Sequence, residues 1–314
     1  MNKRPANVGP TSRHDRVGFT LIEMLVVLGI FLALSGMMFY LASVVRNKDK
    51  ATQGASELQS WLKIAQMWAL RDQRATGLRL ILDPGRQYVT QCVYIAQPDP
   101  YVGAPGATLT TTQVSPTLVT VTGSGIDFSG GFGGSPSPQW PVQTGDYLEL
   151  GSGATARLYR LTPVSPTQLQ IQIDPAEPWT DFTTSDFRII RRPRPRQGEP
   201  ALNLPYHVVV DLSTNGTFGG GLPFNAGTPY VDIVFGPSGR LVGEGLPASD
   251  IMLWVRDTSE DNEPGLAGPN EFRLSPMLVV VSVRTGMVSV QPVSHPPYND
   301  PYALTRDGRA SGSN

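Results

Sequence analysis

Between Met24 and Val45 the chain carries no charged side chain. That run is long enough to cross a bilayer as a helix. Beyond it the pattern changes. Leu58, Trp61, Leu62, Ala65, Trp68 and Ala69 recur at i, i+3, i+4, i+7, i+10 and i+11, while Glu57, Lys63, Gln66 and Arg71 fall on the remaining faces. This is the signature of an amphipathic helix laid on a core. Apart from Pro5 and Pro10, no proline precedes Pro84, so the two halves predict one continuous helix with Gly77 as its stop. Gly29, Ser35 and Gly36 in the first half are small enough to permit close helix approach within a membrane.

Alternation of period two follows. Leu78, Leu80 and Leu82 predict a strand, Asp83-Pro84-Gly85-Arg86 a turn, and the run from Tyr88 to Ile95 a second strand. Similar runs at 207–212, 230–235, 251–256, 277–283 and 287–292 are separated by turn signals such as Gly236-Pro237-Ser238-Gly239 and Thr285-Gly286. Between these groups, residues 97–200 open with Pro98, Pro100, Gly103, Pro105 and Gly106 and close on an Arg-Pro repeat at 192–196. Pro/Gly borders of this kind mark linkers. Strand candidates lie between them at 117–122, 146–150, 156–161, 168–173 and 187–191, and Gln168 to Ile173 alternates without a break. The stretch is too long for a structureless loop and reads as an all-β insertion. The polar tail, 293–314, reads as disordered.

Charge sharpens the reading of the N-terminus. Lys3, Arg4, Arg13 and Arg16 precede the apolar run against a single acid, Asp15. Basic residues before an apolar span hold that end on the cytoplasmic side. A secretory signal is cut after its apolar core, at small residues; here the candidate site, Gly18-Phe19, lies before it. Cleavage there would leave the apolar helix on the mature chain, with a net charge of about −4 at neutral pH. Glu23 would then sit in the first turns of the helix, where its dipole favours a carboxylate, although within lipid that charge requires a partner.

The segment Gly18-Phe19-Thr20-Leu21-Ile22-Glu23, with the apolar run behind it, resembles the N-terminus of type IV pilins and type II secretion pseudopilins. Leu58, Leu62, Ala65 and Ala69, the strand from Leu78 to Leu82, the run Ile233 to Arg240, and the pair Val279 to Ser282 and Gly286 to Val288 are most similar to the GspH/FimT-like minor pseudopilins. Members of that family commonly carry an Arg-Ser pair where this chain has Gln66-Met67. The resemblance implies that a prepilin peptidase removes residues 1–18 after Gly18 and methylates the amine of Phe19. It implies that Glu23 pairs with that amine on a neighbouring subunit and sets axial register. The implied partners are the peptidase, other pilins or pseudopilins and the inner membrane. The implied location is a single-pass inner-membrane protein with its head in the periplasm or on a cell-surface filament.

The fold expected is α+β. A long N-terminal helix, transmembrane over 19–46 and amphipathic over 47–77, packs on an antiparallel β head formed by 78–96 and 201–292, with the all-β insertion at 97–200. Little else points to chemistry. Cys92 is the only cysteine, which excludes an internal disulfide, and His14, His207 and His295 lie far apart. The acidic run Asp257, Glu260, Asp261 and Glu263 lacks the spacing of a calcium loop and reads as solvated. Arg188, Arg191, Arg192, Arg194 and Arg196 read as a strand end and linker. Without interleaved aromatics, on an acidic chain, they make no case for nucleic acid. Trp61 and Trp68 are expected beneath the sheet; Trp140, Trp179 and Trp254 have no readable partner. Asp146 and Glu149 read as surface residues. No nucleophile elbow, metalloprotease motif or phosphate loop is present. A structural subunit is therefore expected, without catalytic residues, metal or cofactor. An adhesive or substrate-binding role for the insertion is the alternative, and an anchored enzyme the third reading.

Overall fold

The computed structural model describes residues 21–85, 88–153, 156–176, 178–213, 229–243, 245–247, 250–259, 276–293 and 302; side chains at 39–49 are left aside. The expected α+β class is corrected. Among the described residues the chain is mainly β, with sixteen strands in two antiparallel sheets and one helix, α1 (Leu21–Asp72). The chain divides into two compact units, Met1–Asp49 and Lys50–Asn314. Only the last part of α1 belongs to the β unit, so a long helix packed on a sheet does not describe this protein. The physical reason lies in the side chains. The stripe able to lie on a sheet begins at Ala51, whereas Leu21 to Met38 is apolar all round, and one sheet face cannot cover such a helix.

The first sheet is built from β1 (Thr76–Leu82), β2 (Tyr88–Ala96), β10 (Arg194–Pro195), β11 (Leu202–Asn203), β12 (Val208–Asp211), β13 (Tyr230–Phe235), β14 (Asp250–Asp257), β15 (Met277–Ser282) and β16 (Val288–Pro292). Its order is β13-β1-β2-β12-β14-β15-β16, with β10 and β11 also paired to β2. Ala55, Leu58, Leu62, Ala65 and Ala69 of α1 are fully buried in one cluster with Leu80, Ile233, Leu253 and Val279. The exposed faces of the same helix carry Lys63 and Arg71, and Glu57 is half-buried. Trp61 and Trp68 are only partly buried, at the margin of this core rather than beneath it. Trp68 lies 4.7 Å from the Tyr94 ring, with Arg196 stacked 4.4 Å above it.

The expected helix stop at Gly77 is also corrected. The helix ends at Asp72, and Gln73 turns the chain with φ 51° while its side-chain amide donates to the Leu70 carbonyl at 2.7 Å. Gly77 instead sits inside β1, where a side chain would collide with the Ile233 carbonyl of β13. Two polar contacts then fix the helix to the hairpin ends. Gln59 donates to the Val288 carbonyl at 3.0 Å and Gln66 donates to the Gly239 carbonyl at 3.0 Å; beside the second, Gly286 lies directly against Gly239. Gly286 has φ 71°, and an added methyl group would strike the Gly239 carbonyl oxygen and the Gln66 amide. Gly85 has φ 74° but open space around it. Gly286→Ala is therefore expected to cost more than the backbone strain alone, at least about 2 kcal/mol. Gly85→Ala should cost about 1 kcal/mol. Thermal unfolding of the two variants side by side checks the difference.

The second sheet contains β3 (Thr108–Ser115), β4 (Leu118–Ser124), β5 (Tyr147–Leu150), β6 (Arg157–Ser165), β7 (Gln168–Gln172), β8 (Thr183–Thr184) and β9 (Phe187–Ile190), in the order β8-β3-β4-β7-β6-β5-β9. It has its own core, in which Leu109, Val121, Phe128, Leu148, Leu161 and Ile171 are fully buried. The chain leaves β2 through Tyr101, which exchanges main-chain hydrogen bonds with Ile189 at 2.8 and 2.9 Å, and returns through β10 beside Ala96. Apart from Val293 at its start, the expected disordered tail lies outside the described residues, with one exception. Tyr302 is buried against Trp254, 6.1 Å ring to ring, on the face of β14 opposite α1.

Candidate functional site

In the N-terminal unit, one stretch, Leu21–Met38, is long and apolar enough to cross a membrane by length and composition; a signal sequence would meet the same test. Its apolar side chains are not covered by the chain. Leu21 is 84% exposed, Phe31 66% and Met38 75%. A contiguous apolar surface of this extent is the kind that marks a membrane or protein interaction surface. Glu23 stands in the first turn of α1, the end at which the helix dipole favours a carboxylate. Gly18 and Phe19, the expected cleavage and methylation positions, lie outside the described residues.

Three of the insertion's arginines, Arg188, Arg194 and Arg196, are structural joints. Arg194 reaches back to the buried Asp146 at 3.0 Å while donating to the Trp140 and Pro141 carbonyls at 3.1 and 2.7 Å. The other Asp146 oxygen accepts the Arg192 main-chain N–H at 2.8 Å. Arg188 pairs with Glu149 at 2.9 Å, and Arg196 lies 3.8 Å from Asp72. The expectation that Asp146 and Glu149 are surface residues is corrected, since both are buried. Each faces an arginine, and a buried carboxylate needs such a partner. The Asp146–Arg194 contact ties the strand returning to β2 to the second sheet. The alternation of residues around Asp146 gave no hint of this pairing, because its partner lies 48 residues away.

A similar correction applies to Asp257. Its side chain is fully buried, with one oxygen accepting the Ser259 N–H and hydroxyl at 2.9 and 2.6 Å and the other 3.8 Å from the Lys50 ammonium. Glu260, Asp261 and Glu263 lie outside the described residues. Among the described residues no three His, Cys, Asp or Glu side chains come together as metal ligands. Burial pushes the Cys92 thiol up to about 12, so it is an inert core residue at neutral pH. His207 stacks on Tyr206 at 3.9 Å with no carboxylate beside it among the described contacts.

Trp140, Trp179 and Trp254 acquire partners the sequence did not reveal. Trp140 is fully buried beneath the Arg194 latch, the partly buried Trp179 meets Tyr159 edge to face and lies tilted against Phe182, and Trp254 faces Tyr302. No family model, curated protein or solved structure matches this chain.

Proposed function

We propose that the chain is a pilin-like structural subunit, of the minor pseudopilin kind, in a type II secretion pseudopilus or type IV pilus. A prepilin peptidase cuts between Gly18 and Phe19, the new amine is methylated, and the apolar part of α1 enters a bundle of related helices. Before assembly the subunit rests in the inner membrane with its β unit in the periplasm. The observation that carries this reading is the uncovered apolar segment Leu21–Met38, whose single charged side chain, Glu23, stands in the first turn of α1. A plain anchor has no use for that carboxylate, whose desolvation is costly. An assembling helix uses it, because a neighbour's N-terminal amine neutralises it only in the correct register.

Shearing cells that express the full filament system, with and without the peptidase, tests the proposal. The chain is expected in the sheared or pelleted filament fraction only when the peptidase is present. A chain that stays in the membrane fraction under both conditions would overturn the assignment.

A further inference from the structure

Within the β unit, a cleft of about 540 Å³ opens between β13, the edge strand of the first sheet, and the outer face of β5, β6 and β9. Tyr230 and Asp232 line one side, Tyr147 and Leu158 the other, and Arg191 and Arg192 also border it. Its size is that of a ligand site. Two features of its contents bear on what it could bind.

The first is charge. Arg74, Arg79, Arg188, Arg194 and Arg196 each have a carboxylate partner. Among the described residues, Arg191 and Arg192 have none within ion-pair distance. Arg191 Nε donates to the Asp99 carbonyl at 2.8 Å, which leaves its outer nitrogens for another acceptor. Partial burial, with Arg194 nearby, holds the Arg191 guanidinium below its usual range, although Asp146 and Asp99 act on it from beyond ion-pair distance. The Arg192 side chain lies against Gly145, whose φ of 90° and missing side chain leave room for it. The acid that borders the cleft, Asp232, is already neutralised by a bidentate pair with Arg79 at 2.7 and 2.8 Å.

The second is the sheet edge. The Val242 N–H donates to the Val234 carbonyl at 2.9 Å, which places the main-chain groups of Val234 and, two residues earlier, of Asp232 on the side of β13 away from β1. Beyond Val242 and the bridge from Phe235 to Leu241, no described strand covers that side. A partly covered edge strand recruits an extended segment through its main chain.

We propose that this cleft binds an extended, acidic peptide segment of a partner protein. The segment lies as an added strand beside Asp232 of β13, with its carboxylates on Arg191 and Arg192. The inference does not rest on the assembly reading, because a chain that is never cleaved or assembled keeps the same cleft.

The test uses the full chain in detergent micelles and a fluorescein-labelled octapeptide of alternating threonine and glutamate. The peptide with lysine in place of glutamate and free glutarate serve as comparisons. Saturable binding of the glutamate peptide, at least about tenfold tighter than the lysine peptide, is expected. Arg191→Gln combined with Arg192→Gln should weaken it by at least about tenfold. Leu158→Glu, at a side chain 59% exposed, should do the same by placing an acid on the opposite wall. No binding, equal binding of the lysine peptide, or indifference to Leu158→Glu would overturn the proposal. Full competition by millimolar glutarate would also overturn it, since the cleft would then take small anions rather than a strand.

Discussion

Glu23→Val is expected to leave membrane insertion and leader removal unchanged while cutting filament incorporation by about two orders of magnitude. Insertion depends on the apolar run, which the change lengthens, and cleavage on the residues around Gly18. Incorporation is different. In the assembled bundle the N-terminal amine of a neighbour would face a valine in a dry environment. Breaking one half of a buried ion pair costs about 3 kcal/mol or more, and each 1.4 kcal/mol is worth about tenfold in an equilibrium. Comparing membrane and sheared fractions of both proteins by quantitative immunoblot reads the effect. Normal incorporation of the variant would remove the charge pair from the account and leave α1 as an ordinary apolar anchor.

The second large effect is expected in the β unit. Arg256 and Asp211 are both almost fully buried and paired at 2.8 Å, and Arg256 also donates to the Tyr88 hydroxyl at 2.7 Å. The pair joins β2, β12 and β14 at one level of the first sheet. Arg256→Met leaves the Asp211 carboxylate buried without its cation and should cost about 3–5 kcal/mol. The double change Arg256→Met with Asp211→Leu should be less damaging than the single one, because a buried pair replaced by apolar residues of similar size is often neutral. Cys92 supplies the readout. Its thiol is buried and inert in the native state, so its labelling rate in mild urea reports opening of the core. A single variant that labels no faster than the parent protein would show that the pair contributes little.

What could be read from the sequence follows from the range of each interaction. The helix stripe from Ala55 to Ala69 and the alternation at Gln168 to Gln172 are local patterns, and in the structure their apolar positions face the cores. β3 escaped notice because Thr108 to Ser115 is mostly polar; only Leu109 and Thr111 are buried, and Thr111 trades hydrogen bonds with Phe182. The helical pattern runs on from Leu21, but among the described residues only those from Ala51 onward bury against the sheet, which is why a long apolar run does not make the class α+β. The Arg194 latch, the Arg256–Asp211 pair and the Arg191–Arg192 cleft join residues tens of positions apart. No periodicity records such contacts. Gln66 gains its meaning only from the Gly239 carbonyl it bonds.

The central claim is that residues 1–18 are a leader and that Phe19 becomes a functional N-terminus. Intact-protein and N-terminal peptide mass spectrometry, on the chain expressed with and without a prepilin peptidase, tests it most directly. The account predicts a mature species beginning at methylated Phe19, present only with the peptidase. A chain left uncut, or cut after the apolar run, would contradict it.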